Sequence, residues 1–221
     1  MKFERPLQER ELNILELQLA RLDRKRRYGI RFLVVWTFLA LVVGSIAYFR
    51  EPKDGNGLLL IMAIYIGIGV WVVVEQRVKG NRRRKSIAYL KEKNLVTVVE
   101  VNSDTFYMLE EVDDEGVLYL FQLEGNRVLS FGGQDFFESD NFPSDKFEIV
   151  EGRGIGDEIL ILEAFVQGKK IKPKKVFSSK EKVELVNNSN YPDPEKLTIV
   201  EGRIEDYVSG LVILPNKILS K

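Results

Sequence analysis

The side chains that most often carry catalysis are missing from this chain. Its 221 residues include no histidine and no cysteine. That removes the commonest general base, thiol nucleophiles and the usual zinc ligands. Carboxylates, lysine, serine and tyrosine remain. Two acidic groups, Asp113-Asp114-Glu115 and Asp135 with Glu138 and Asp140, are of the kind that gathers a hard cation through oxygen ligands. Neither has the spacing of a calcium loop, and acidic turns are ordinary solvated surface. Gly152-Arg-Gly-Ile-Gly156 has the glycines of a phosphate loop without the full GxGxxG spacing or a βαβ setting, so it reads as a strand connection. No catalytic residue, metal ligand or cofactor is assigned.

One run has binding chemistry. Lys169, Lys170, Lys172, Lys174 and Lys175 crowd into seven residues. Such a run attracts the phosphates of a lipid surface. No aromatic side chain interleaves with it to stack on bases, and the region around it is acidic, so nucleic acid is not expected as a partner. The alternative is a solvated edge whose lysines, with Pro173, block strand-to-strand aggregation.

The segments that must position these residues differ sharply in charge. The chain as a whole balances 33 basic against 33 acidic residues. Residues 1–31 carry net +4, residues 75–93 net +6, and residues 94–221 net −10. Between the basic segments lie two runs without a charge, Phe32–Phe49 and Leu58–Val74. At ~1.5 Å of helical rise per residue, each is long enough to cross a hydrocarbon core of ~30 Å, with some adjustment at the ends. The connector Arg50-Glu-Pro-Lys-Asp-Gly-Asn-Gly57 is turn-rich, so the pair predicts a transmembrane hairpin.

Basic collars flank both spans on the same side: Arg21, Arg24, Lys25, Arg26, Arg27 and Arg31 before the first, and Arg77, Lys79, Arg82, Arg83, Arg84 and Lys85 after the second. The positive-inside rule sets both in the cytoplasm. Arg82, Arg83, Arg84 and Lys85 are also candidates to hold anionic headgroups. The first span begins too late for a cleaved signal peptide. No charge is embedded in either span, which argues for an anchor rather than a transport path. Ala40 and Gly44 on the first span, and Ala63 and Gly67 on the second, are spaced to face one another across an antiparallel hairpin.

Before the first span, Leu12, Leu15, Leu19 and Leu22 recur at the three–four spacing of a coiled-coil seam, a candidate for self-association. Ile14 and Leu17 widen that face, which equally suits an amphipathic helix packing on the membrane or on the rest of the chain. After residue 93 the period changes. Short β-branched and aromatic runs alternate with turn formers, which predicts strands near 96–101, 106–112, 116–123, 127–131, 146–151, 158–165, 174–177, 182–186 and 196–201. The pentapeptide Ile149-Val-Glu-Gly-Arg153 returns as Ile199-Val-Glu-Gly-Arg203, each after an aromatic-Pro corner. This is a repeated strand-and-corner device or a pair of equivalent binding edges.

A transmembrane hairpin, a basic collar and a β-rich region in that order resemble bacterial membrane-anchored proteins with a small cytosolic β domain, including those with pleckstrin-homology-like domains. Gly133-Gln134, Phe142-Pro143 and Phe147-Glu-Ile-Val150 are similar to a pattern that recurs in uncharacterised bacterial membrane proteins. The resemblance implies a fold and no activity. The chain departs from the pleckstrin layout in lacking a clear closing amphipathic helix after Gly202.

The expected fold is therefore an α+β membrane protein, with a two-helix transmembrane hairpin and a mainly antiparallel β domain, either a sandwich or a partly open barrel. Its expected parts are an N-terminal helix (1–29), the hairpin (30–75), a basic helical linker (76–93) and an acidic β domain (94–221). The expected location is the bacterial inner membrane with both termini cytoplasmic. The expected role is a non-enzymatic binding or accessory subunit, its partners the bilayer and a protein or a second copy. The alternatives are a carboxylate-dependent membrane enzyme and an anionic-lipid sensor.

Overall fold

A computed structural model describes residues 2–50, 55–188 and 197–208. The chain is α+β and divides into two compact units. One comprises residues 6–95 and 153–161. The other comprises 1–5, 96–152 and 162–221.

The first unit is built on two long helices, α1 (Glu9–Arg50) and α2 (Gly55–Lys93). At 42 and 39 residues they extend ~63 and ~58 Å, about twice a hydrocarbon thickness. The leucine-rich segment expected as a separate N-terminal helix is thus the first half of α1, with no break before the apolar run. Nothing in 20–31 stops a helix, since that stretch lacks proline and its one glycine, Gly29, is buried in the helix. Likewise the basic segment after residue 75 continues α2.

The two ends of the pair are fastened together. Gln8 N–H donates to Glu11 Oε2 (2.6 Å), one half of a capping box at the start of α1. Asn94, at φ 50°, ends α2 in the left-handed conformation, its N–H donating to the Leu90 carbonyl (2.9 Å). Its side-chain Oδ1 accepts the Leu7 N–H (3.2 Å), tying the chain just before α1 to the chain just after α2.

The second unit holds β1 (Lys2–Arg5), β2 (Val96–Asn102), β3 (Phe106–Leu109), β4 (Leu118–Leu123), β5 (Arg127–Gly132), β6 (Lys146–Arg153), most of β7 (Ile159–Val166), β8 (Lys175–Phe177) and β9 (Thr198–Glu201). They form a four-stranded sheet, β1-β2-β6-β7, and a five-stranded sheet, β8-β3-β4-β5-β9. The β3-β4-β5 meander is antiparallel, but β8 joins β3 in parallel, so the second sheet is mixed. β1 escapes a sequence reading because Lys-Phe-Glu-Arg is short and charged. It is held by its pairing with β2, Lys2 opposite Val99 through Arg5 opposite Val96.

Both sheets contribute to one aromatic core. Val99, Val101, Phe147 and Ile149 from the first sheet meet Phe106, Tyr119, Phe121, Leu129 and Phe131 from the second. Phe106 and Phe121 stack at 4.8 Å, and Phe147 meets Phe121 edge-on at 5.0 Å, both favoured aromatic geometries. The alternation of β4 splits its residues between two faces: Tyr119, Phe121 and Leu123 enter this core, while Leu118 and Leu120 face a second cluster with Ile204, Tyr207 and Phe177. Two short helices, α3 (Ser179–Asn188) and α4 (Ile204–Val208), contribute Leu185, Ile204 and Tyr207 to that cluster.

α3 replaces the strand expected at 182–186. Its start is a capping box: Ser178 N–H and Oγ–H both donate to Glu181 Oε2 at 2.8 Å. Those bonds hold the Glu181 carboxyl below its usual range, the Ser178 backbone N–H being the largest cause. Lys182 is buried on this helix and reaches Glu115 at 3.7 Å. At the β3–β4 turn, Gly116 has φ 83°, and a Cβ there would lie 2.4 Å from the Gly133 carbonyl carbon, so no larger residue fits.

Two core substitutions on the same face of β4 separate packing from polarity. Phe121→Ala removes a fully buried ring and should cost about 3–5 kcal/mol, lowering the unfolding midpoint of the β region markedly. Tyr119 is equally buried, but among the described residues its hydroxyl has no hydrogen-bond partner, and burial pushes its pKa up. Tyr119→Phe should therefore be neutral or stabilising by about 1–2 kcal/mol in denaturant titration of the full chain.

Candidate functional site

The lysine run is largely absorbed by the β unit itself. Its backbone is threaded across the fold: Asp145 N–H donates to the Lys169 carbonyl (3.0 Å), Ile171 N–H to Pro143 (3.0 Å) and Lys174 N–H to Phe106 (2.9 Å). Lys170 Nζ bonds Glu138 (2.8 Å) and the Ser139 carbonyl (2.7 Å). Lys174 Nζ reaches Glu205 (3.1 Å), and Lys175 lies 4.2 Å from the Phe177 ring centroid. The Glu205 carboxyl is held below its usual range by its own backbone N–H first and Lys174 next. All five lysines are exposed, and Lys169 and Lys172 make no side-chain bond or ion pair among the described residues. A phosphate approaching this run competes with internal partners at three of the five lysines.

The repeated pentapeptides do not occupy equivalent edges. β6 lies between β2 and β7, with Glu151 buried, whereas β9 pairs with β5 alone among the described strands and leaves Glu201 exposed. The corner before the second copy, Tyr191-Pro192, lies outside the described residues. Gly152–Gly156 is a hairpin connection. Gly154 N–H donates to the Glu158 carbonyl (2.7 Å), and Gly156 turns the chain at φ 66°. Among the described residues, no three carboxylates converge as a metal site.

The helix pair brings together what the sequence separates. Facing positions descend α1 as they climb α2. Glu16 meets Lys91 (3.5 Å), Gln18 meets Arg83 (3.0 Å), Asp23 meets Arg84, Gly29 faces Gln76 and Val73, Trp36 packs on Tyr65, and Gly44 faces Met62. The face that α2 gives to this seam steps by four and three: Met62, Ile66, Gly69, Val73, Gln76, Gly80, Arg83, Ile87 and Leu90, the repeat of a coiled-coil seam. Arg83 also binds Glu158 (3.2 Å), and Gln18 Nε2 donates to the Leu160 carbonyl (2.7 Å), so residues 153–161 are bound to this end of the pair.

Leu15 is fully buried, Leu19 and Leu22 are half-buried, and Leu12 is exposed. The structure thus uses the centre of the leucine seam within one chain. Ala40 and Gly44 are buried on the shared face, whereas Ala63 and Gly67 are exposed, with open space where a Gly67 Cβ would lie. The close approach on α2 falls at Gly69, two residues on, where a Cβ would lie 2.6 Å from Trp36. That indole stacks on Tyr65 at 4.2 Å and donates to the Tyr65 carbonyl (3.0 Å). The spacing of the small residues predicts Ala63 and Gly67 on the shared face; in the described structure the ring of Trp36 instead sets the close approach at Gly69.

Outside the seam, Phe32–Val43 and Leu60–Val74 expose nearly all their large apolar side chains. Little of the apolar stretch of either helix is buried within the described chain. Both are long and apolar enough to cross a membrane. Immediately below the apolar band, the antiparallel register lays the first collar beside the second. Arg83 and Arg84 are engaged with Gln18, Glu158 and Asp23, and Lys79 with Glu75 (2.7 Å). Arg21, Arg24, Lys25, Arg26, Arg27, Arg31, Arg77, Arg82 and Lys85 are exposed and make no carboxylate pair among the described residues. The result is one basic belt beneath one apolar band, a surface whose chemistry suits phosphates at a lipid boundary.

No known protein family, curated protein or solved structure matches this chain. Its fold and surface define a class all the same: an α+β chain carrying a pair of long apolar helices and a two-sheet β region.

The seam predicts unequal tolerance of two neighbouring glycines. Gly69→Leu should cost roughly 1–3 kcal/mol by overpacking against Trp36, lowering the heat resistance of the helix pair in detergent. Gly67→Leu, facing outward, should leave it within about 0.5 kcal/mol.

Proposed function

We propose that this chain is a double-spanning protein of a bacterial inner membrane. The α1–α2 pair anchors it, and its β region stands in the cytoplasm as a binding or accessory subunit for a protein partner. The observation that carries the membrane reading is the exposed apolar band with a basic belt along the border away from the connector. The orientation has separate support in β1. Residues 2–5 precede the first helix and residues 96–102 follow the second, yet the two strands are hydrogen-bonded, which requires both to lie on one side of a bilayer. The positive-inside rule supports reading that side as the cytoplasm.

The β region is read as a sandwich rather than a partly open barrel. Two sheets with separate strand orders bury one core between them, and no strand pairs across from one sheet to the other among the described residues. A binding role is favoured over catalysis because side chains with chemistry to offer are taken up in structural pairs. Lys170, Lys174 and Lys182 pair with acidic residues, and Glu181 caps a helix.

The native absence of cysteine makes topology directly measurable. Single cysteines placed at Asn56, Phe3 and Ser178 should respond differently to an impermeant maleimide on intact cells. Asn56→Cys should label from outside, and Phe3→Cys and Ser178→Cys only after permeabilisation. Labelling of Ser178→Cys in intact cells, or release of the chain from membranes by alkaline wash, would overturn the reading.

A further inference from the structure

The helix seam is closed at both ends and open in between. Toward the connector, a Cβ on Gly44 would lie 2.0 Å from Met62 Sδ and one on Gly69 2.6 Å from Trp36. At the opposite end Leu15, Ile87 and Leu90 are fully buried. Gly80 is a seam position too, in step with Val73 and Ile87, yet a Cβ there would meet nothing within 4 Å. The seam therefore has a notch at Gly80.

Its level is fixed by neighbouring pairs. Asp23 with Arg84 lies on one side and Gly29 with Gln76 on the other, so residues 24–28 of α1 run alongside 77–83 of α2. These two brackets contain eight basic residues and no acidic one. Only Lys79 and Arg83 of the eight are engaged by carboxylates among the described residues. A cluster of like charges beside a gap is a repulsive arrangement that an anion in the gap relieves.

Depth indicates which anion. Gly80 lies six residues beyond Val74, the last of the uncharged run, or about 9 Å along the helix. A bilayer's polar layer adds only about 5–8 Å on each side of the hydrocarbon. A single phosphodiester at the lipid boundary stops short of Gly80, whereas a headgroup with a second phosphate further out reaches it.

Resting on the membrane reading above, we propose that the notch at Gly80 seats the headgroup of a lipid diphosphate, its outer phosphate at the level of Gly80 and its inner phosphate the short P–O–P span nearer the hydrocarbon, with Arg77 and Arg82 on either side. The apolar tail of such a lipid would lie along the band above. Binding requires no change in the lipid's covalent structure.

The full-length protein in phosphatidylcholine nanodiscs tests this, with native mass spectrometry counting the lipid each chain retains. The doping lipids are a polyprenyl diphosphate and, at matched total charge, phosphatidylglycerol. The parent should retain the diphosphate lipid at least roughly tenfold better than phosphatidylglycerol. Gly80→Leu, which fills the notch and leaves every basic residue in place, should remove that preference. Gly80→Ala, the milder change, should reduce it if the leucine variant fails to assemble, and Gly67→Leu should leave it intact. Free inorganic diphosphate added to undoped discs separates a lipid from a soluble source; saturable binding with equal affinity would overturn the lipid assignment. Equal retention of the two lipids, or an undiminished preference in both Gly80 variants, would overturn the notch. A protein that fails to enter nanodiscs at all would instead defeat the membrane reading.

Discussion

The antiparallel register of α1 on α2 is the constraint on which the surface chemistry depends. Each collar alone is a basic stretch on one amphipathic helix. Fixed side by side by Trp36 on Gly69 and Tyr65, by Gln18 on Arg83, and by Asn94 on Leu7, they become one belt at one height. A shift of one residue in that register would rotate Gly69 away from the indole and bring a β-branched neighbour, Ile68 or Val70, into its place. The tolerance is therefore narrow. Glycine at the closest approach is what lets two backbones bury an aromatic ring between them without widening the seam.

The seam changes chemistry along its length, and the change follows the surroundings. Near the connector it is Met62, Ile66, Gly69, Val73 and Trp36, where neighbouring surface is apolar. Beyond Gly80 it is Arg83 bound to Gln18 and Glu158, then Ile87, Leu90 and Leu15. Polar seam residues are costly in an apolar setting unless paired, and here they are paired by side chains and by the Leu160 carbonyl. Residues 153–161 thus contribute to the helical unit although they connect two strands. The same segment explains why a glycine-rich motif that resembles a phosphate loop serves as a turn: Gly154 lies where a Cβ would meet Ser86 at 2.7 Å.

Much of this architecture was legible in the residue pattern. The uncharged runs, the collars and most strand positions follow from composition and period, because apolar length and alternation are direct physical requirements. The failures are equally physical. β1 carries no apolar pattern, since as an edge strand it depends on β2 for its existence. The helix α3 lies in a segment that alternates like a strand, and the sequence signal that distinguishes it is its Ser178–Glu181 cap. The leucine spacing marked a real seam but not its partner, which is α2. The spacing of small residues on α2 points to Ala63 and Gly67, but a bulky neighbour, the Trp36 ring, sets the close contact at Gly69. At the lysine run, charge density was visible in sequence but its partners Glu138 and Glu205 were not, because they come from distant segments.

Cross-linking in native membranes tests the register most directly, again exploiting a chain without cysteine. A disulfide forms only where Cα atoms approach within about 7 Å, so paired substitutions report which positions face each other. The account predicts that Gly29→Cys with Gln76→Cys, and Gly44→Cys with Met62→Cys, oxidise to bridges within one chain, while Gly44→Cys with Gly67→Cys does not. Bridges that form only between two copies, or that form through Gly67 and not through Met62, would contradict it.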